Sequence, residues 1–205
     1  MIDSLQSNQI LRQTSHFKDK MQTNFYLFCE ENHHLLSINN GATINDQINI
    51  SVAPFYRKEE LEIVKIELQN HHTTSVHVKI FVENELIQHK RNQYVFASPS
   101  LDVLFFANGN SLFLSSGSFL GKSICQYGAV SRTHEFYKNL QQGYIPFNPI
   151  GKGDVLGVYS LEGTIHPNET VQAYTWTLSS NAFSKSELLC LNDELKIRLA
   201  FYDER

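Results

Sequence analysis

Nine histidines stand in this 205-residue chain, four of them in the adjacent pairs His33-His34 and His71-His72. Imidazole is a zinc ligand, and zinc asks for three or four ligands converging at about 2 Å. Neighbouring residues on a strand point to opposite faces, so each pair offers one ligand to a given face. A metal site would therefore need His72, His77 and a third partner from elsewhere in the chain. The ordinary role of His71-His72, in a polar linking segment, is a solvated turn.

Other reactive residues are less organised. SSGSFLGKS, at 115 to 123, is close to a phosphate-binding loop, whose spacing G-x-x-x-x-G-K-[ST] lets backbone amides wrap the phosphates. Here Gly117 and Gly121 are one residue too close, Ser116 stands where the first glycine belongs, and ICQYGAV does not open a helix. No cofactor is expected on this basis. Nucleophilic chemistry would fall to Cys125 with His134, or to a serine with a histidine, but there is no G-x-S-x-G elbow. Cys29 and Cys190 lie in apolar runs and read as buried thiols. The carboxylate pairs Glu59-Glu60 and Asp193-Glu194 have the spacing of ordinary surface charge. The reading leans away from an enzyme.

The richest stretch is 121 to 153. Tyr127, Phe136, Tyr137, Tyr144 and Phe147 put five rings into a segment dense in glycine and proline. Loops on a rigid scaffold are where binding concentrates, and rings stack on sugars or anchor a protein partner. The competing role of these rings is to pack the loop against the body of the fold.

The elements around this loop are mostly strands. LEIVKIEL and VHVKIFV alternate apolar and polar residues, which predicts two half-buried strands. The polar link QNHHTTS suits a hairpin between them, spanning Leu61 to Val82. NFYLFCE and HHLLSIN read as another hairpin, and QINISVA as a strand in which Pro54 forbids a central position. ENEL begins with a turn, YVFASPS is a strand, and Asn108-Gly109-Asn110 joins two more in a hairpin. THEFYKNLQQG predicts a helix with Thr133 as N-cap and Gly143 as stop. VLGVYSLEGTI and TVQAYTWTLSS close the strand series around a turn at HPNE, with Trp176 in the core. Ser184-Lys185-Ser186-Glu187 is a capping box before an amphipathic run of Leu188, Leu191, Leu195 and Leu199. That run predicts a C-terminal helix, although KIRLAFY also suits a last strand.

About ten short strands with turn signals between them predict an all-β antiparallel β-sandwich carrying one long aromatic loop and a C-terminal amphipathic helix. Residues 1–22 read as a polar N-terminal arm and 23–205 as one sandwich domain. A chain of this length buries roughly 70% of its unfolded surface and needs no disulfide or metal to hold a core. The net charge of −4, with basic residues scattered, argues against nucleic acid. No window reaches the roughly 18 apolar residues of a membrane span, and no signal peptide is evident, so a cytoplasmic location with reduced thiols is expected.

Two stretches resemble the large β-sandwich that precedes the helical barrel of several glycoside hydrolase and phosphorylase families. They are ISVAPFYRKEELEIVKIELQNHHTTSVHVKIFVE, with its turn at Leu68-Gln69-Asn70, and LEGTIHPNETVQAYTWTLSSNAFSKSELLCL, similar to a closing strand pair and following helix. In those families the acid and base lie in the barrel. The resemblance therefore implies a sandwich that binds or organises rather than one that hydrolyses. The expected function is a non-catalytic binding or assembly module, engaging a carbohydrate or protein partner through the 121 to 153 loop. Two alternatives are a metal-dependent small-molecule enzyme in a sandwich cleft, and a homo-oligomer pairing through exposed strand edges.

Overall fold

The computed structural model describes residues 20–30, 34–38, 42–44, 48–58, 60–87, 93–109, 111–180 and 184–200. The reading of residues 1–22 as an arm thus lies outside the described residues up to position 19. The first strand already begins at Met21. Also outside are His33 and the side chain of His34, together with Glu59.

Thirteen strands are described: β1 (Met21–Cys29), β2 (His34–Ser37), β3 (Ala42–Ile44), β4 (Ile48–Arg57), β5 (Leu61–Asn70), β6 (Val76–Leu86), β7 (Gln93–Ser98), β8 (Val103–Asn108), β9 (Ser111–Phe119), β10 (Tyr127–Val130), β11 (Ile150–Lys152), β12 (Leu156–Ile165) and β13 (Thr170–Ser179). Helix α1 (His134–Gln141) lies between β10 and β11, and α2 (Lys185–Ala200) ends the described chain. The strands form a five-stranded sheet, β10-β12-β6-β1-β2, and an eight-stranded sheet, β11-β7-β8-β9-β13-β5-β4-β3. Every pairing among these strands is antiparallel. The all-β sandwich is the observed architecture.

Alternation along each strand builds the core. Val76, Val78, Ile80 and Val82 of β6 face Ile66 and Leu68 of β5 across the space between the sheets, all essentially buried. The outer faces are covered as well. Leu188, Leu195 and Leu199 of α2 bury Trp176, Tyr174, Phe105 and Leu114 on the larger sheet. Phe136 and Leu140 of α1, with Ile145, cover Phe28, Phe81 and Val158 on the smaller one. The molecule is therefore four layers deep, with helix, sheet, sheet and helix-loop in that order. At about 25 cal/mol per Å² of apolar surface removed from water, three such clusters supply the dominant stabilisation.

The structure corrects the central hairpin. Strands β5 and β6 do not pair with each other: β5 lies between β13 and β4 in the large sheet, β6 between β12 and β1 in the small one. Residues 71–75 carry the chain from one sheet to the other as an arch. The alternating pattern is satisfied equally well by both arrangements. It requires only that each strand turn its apolar face to the core, and in an arch the two faces meet each other rather than lie side by side. β12 and β13 are joined in the same way, the expected turn at His166–Glu169 carrying the chain across the sandwich. The two arches stack, β6 pairing with β12 and β5 with β13.

The expected turn at Glu83-Asn84-Glu85 is also absent, because β6 runs unbroken to Leu86 with all three residues buried. Their polar groups find partners on neighbouring elements, so the turn tendency of Asn84 is overridden. Other local signals hold. β1 pairs with β2, and β8 with β9 around Gly109, whose φ of +56° suits a residue without a Cβ. Pro54 stands at a bulge in β4, beyond the Ile48–Ile50 stretch that pairs with β3, so among the described residues no strand on that side needs its missing N–H. The phosphate-loop lookalike is strand β9 as far as Phe119, followed by a tight turn closed by Phe119 and Lys122. Ser184 and Glu187 form the capping box, with the Ser184 amide donating to Glu187 at 2.6 Å, and the final run is helix rather than strand.

Candidate binding site

The 121 to 153 segment closes one side of the sandwich. After β10, Thr133 caps α1 by accepting the amide of Phe136 at 3.2 Å, and Gly143 follows the C-cap Gln142 as the stop. Gly143 has φ of +73°, and a Cβ there would meet the Phe28 ring at 2.6 Å, so conformation and space both demand glycine. From that point the chain returns along the edges of both sheets. Ala129 of β10 donates to the Asn148 carbonyl at 2.8 Å, and the Asn148 side chain donates back to the Ala129 carbonyl at 2.7 Å. Ala97 of β7 then donates to the Pro149 carbonyl at 2.8 Å. Both sheet edges are thus covered by one strap of chain, which shields backbone groups that would invite foreign strands.

The strap is held tightly where it carries its exposed rings. The Tyr144 amide donates to the Asn139 carbonyl at 3.0 Å and the Ile145 amide to the Gln126 side chain at 2.8 Å. Lys79 Nζ and Gln126 Nε2 each donate to the Gly143 carbonyl at 3.2 Å. Ile145 is buried in the outer cluster and pins the stretch from below. On this fixed backbone Tyr144 is 52% and Phe147 63% exposed. A large ring standing in water on a hydrogen-bonded backbone is already arranged for contact, because little conformational entropy remains to be lost.

The five rings singled out from the sequence divide. Phe136 is buried beneath α1, and Tyr137 tilts against it with centroids 5.0 Å apart. Tyr127 is half-buried against the inner core and meets Phe147 edge-on at 5.7 Å. Tyr144 and Phe147 present themselves to solvent. Packing and presentation are both at work in one loop.

The two candidate ligands His72 and His77 do not converge on a common site. His72 lies in the first arch, while His77 is on the outer face of β6, within 3.1 Å of Thr164 Oγ1. Among the described residues no three of His, Cys, Asp and Glu are grouped as a metal ion would need. The cysteine readings are partly corrected. Cys29 is buried, but Cys190 is exposed, since it lies on α2 away from the Leu188–Leu195–Leu199 stripe. Cys125 is exposed, and its thiol is pushed up from the ordinary value by its partial burial and by the charge of Glu162. That is the opposite of an activated nucleophile.

A polar cluster that sequence reasoning missed lies under the same loop. Glu83 and Glu85, alternate residues on the outer face of β6, are only 1% and 5% exposed. Arg132, just before α1, donates to Glu85 at 2.6 Å and reaches Glu83 at 3.5 Å. Glu83 also accepts from Asn24 at 2.9 Å, Tyr137 at 3.3 Å and Tyr26 at 3.4 Å. Burial, then the Glu83 charge, pushes both tyrosine hydroxyls above their usual range. This many donors on one carboxylate hold it in place. The local pattern ends the strand at Val82 and gives these glutamates to a turn, and nothing nearby in sequence signals that β6 runs on and α1 folds over them.

Comparison with known proteins adds a structural likeness. No protein-family model matches the chain, and no curated protein sequence does. Among solved structures it is similar to a bacterial glucoamylase complexed with acarbose, at 9% identity and a TM-score of 0.46. The likeness covers 85% of this chain and 28% of the glucoamylase chain. No helix among the described residues is long and apolar enough to cross a membrane.

Proposed function

We propose that this chain is a non-catalytic binding module that engages a glycan through the strap following α1, with Tyr144 and Phe147 as the contact rings. The observation that carries the reading is their exposure, 52% and 63%, on a backbone tied to α1, β10 and β7. Sugar rings present axial C–H groups that stack on aromatic faces, and a rigid platform keeps the entropic cost of that contact small. The charged groups nearest the strap support binding over bond cleavage. Glu83 and Glu85 are engaged by Arg132, Asn24, Tyr26 and Tyr137, and Lys79 is held by Glu30 at 3.0 Å and by the Gly143 carbonyl.

The test is thermal unfolding of the purified protein against a panel of soluble oligosaccharides and divalent metals. A ligand at 100 times its dissociation constant adds about 2.7 kcal/mol, which should raise the midpoint by roughly 5–10 °C. A rise with one sugar class supports the reading. A rise with a metal alone favours the histidine alternative, and no rise with any sugar counts against the glycan and leaves a protein partner for the same rings.

A further inference from the structure

On the far side of the sandwich from the strap, the two sheets part to leave a groove of about 450 Å³. It is lined by β1, β4, β5 and β13, with Thr23, Thr175 and Thr177 among its walls. That volume falls within the roughly 300–1,000 Å³ of small-molecule sites. The lining is mixed in a particular way. Phe25, Val52, Pro54 and Val64 give it an apolar side, and the threonines give it hydroxyls. Its charged residues, Arg57 and Glu62, form an ion pair with each other.

The hydroxyls lead inward to a polar chain that an ordinary sandwich core would not contain. Thr23 donates to Asn84 Oδ1 at 2.8 Å, and Asn84 Nδ2 crosses between the sheets to Ser115 Oγ at 3.4 Å. Ser115 meets the Tyr159 hydroxyl at 3.5 Å, and Tyr159 donates to the Ser116 carbonyl at 2.8 Å. Thr175 joins the network at the Tyr159 hydroxyl. Polar groups are costly inside a core unless satisfied, and a network that ends at the wall of an open groove can extend to a ligand's own hydroxyls.

We propose that this groove binds one ring of an uncharged, polyhydroxylated small molecule, a neutral monosaccharide unit. Its hydroxyls meet Thr23, Thr175 and Thr177, and its C–H face lies on Phe25, Val64 and Pro54. A charged ligand would compete with the Arg57–Glu62 pair and gains nothing from the neutral walls. The site is independent of the strap rings, since β10, which carries the strap, and β1 are three places apart in the smaller sheet.

The experiment is backbone-amide NMR of the full chain titrated with glucose, galactose and mannose to roughly millimolar concentrations and above. The result expected is saturable shifts at Thr23, Thr175 and Thr177 with at least one sugar, weakened at least about tenfold by Thr177→Val, which removes the hydroxyl and keeps the shape. Val52→Trp, at a half-buried lining position that pairs with Ile66 and so faces the groove, should abolish them while an unfolding midpoint confirms that the fold is kept. No saturable shift at these amides with any of the three sugars overturns the proposal, as does unchanged binding by a folded Val52→Trp. Shifts confined to Tyr144–Phe147 would uphold the strap reading while overturning the groove.

Discussion

The side-chain amide of Asn70 donates to the Ile165 carbonyl across 3.0 Å, joining residues at the ends of two strands in different sheets. The same amide reaches the Thr74 and His166 carbonyls at 3.0 and 3.1 Å, and Asn70 Oδ1 accepts the His72 amide at 2.8 Å. One fully buried side chain therefore ties both arches together where they leave the large sheet. Asn70→Ala strands those carbonyls and one amide without partners. It should cost about 3 kcal/mol, or roughly 6–12 °C in midpoint. Asn70→Asp should do no better, because a carboxylate would face three carbonyl oxygens. Urea unfolding of both variants checks this, and a loss within about 0.5 kcal/mol would deny the role.

Arg132 stands between two buried glutamates. Breaking a buried ion pair by removing one partner costs about 3–5 kcal/mol, but Arg132 is itself half-exposed and Glu83 keeps three other donors. Arg132→Met should therefore cost about 2 kcal/mol. Adding Glu85→Gln should restore much of the loss, since the charge left stranded is removed. Chemical denaturation of the single and double variants decides, and an additive double variant would show that the two residues are not coupled.

Alkaline pH should weaken the fold before it weakens a protein with ordinary tyrosines. Burial holds the Tyr159 hydroxyl above its usual range, and Tyr26 and Tyr137 are raised by burial and then by Glu83. A raised value in the folded state means that the native protein keeps protons that the unfolded chain releases. Stability is then unaffected below about pH 10 and falls as pH rises beyond it. Melting curves between about pH 9 and about pH 11 should show this fall, and Tyr159→Phe should make it shallower. A midpoint independent of pH across that range would contradict the assignment.

Trp176, the single tryptophan of the chain, donates its indole N–H to Asn192 Oδ1 at 3.0 Å beneath α2. Asn192→Ala leaves that buried donor without its acceptor and should cost about 1–3 kcal/mol. Because the ring is 1% exposed, its emission should be blue-shifted in the native protein and move red as α2 detaches. A tryptophan signal that changes well before the far-ultraviolet circular dichroism would show that α2 leaves first.

Much of the local structure was legible because it is encoded by neighbours in sequence. Asn108-Gly109 signalled the β8–β9 turn, Thr133 and Gly143 bounded α1, and Ser184 with Glu187 opened α2. Alternation correctly sorted Val64, Ile66 and Leu68 from Lys65 and Glu67 in β5. It could not say whether β5 and β6 lie in one sheet or face each other, since both satisfy a period of two. Part of that information resides in Asn70, whose bonds span 95 residues and have no local signature. The candidate site divides for the same reason. Composition located the ring-rich loop, but whether Phe136 packs inward and Phe147 stands in water depends on which of them meets β1 and β6.

The measurement that bears most directly on the binding proposal is a comparison of Tyr144→Ala/Phe147→Ala with Phe136→Ala. Each is assayed for oligosaccharide binding by calorimetry and for its unfolding midpoint. Removing the two exposed rings should abolish binding while leaving the midpoint within about 2 °C of the parent, whereas Phe136→Ala should cost about 3–5 kcal/mol by opening a core cavity. A double variant that binds as the parent does would contradict the account. So would one that unfolds as readily as Phe136→Ala, since the rings would then be part of the core.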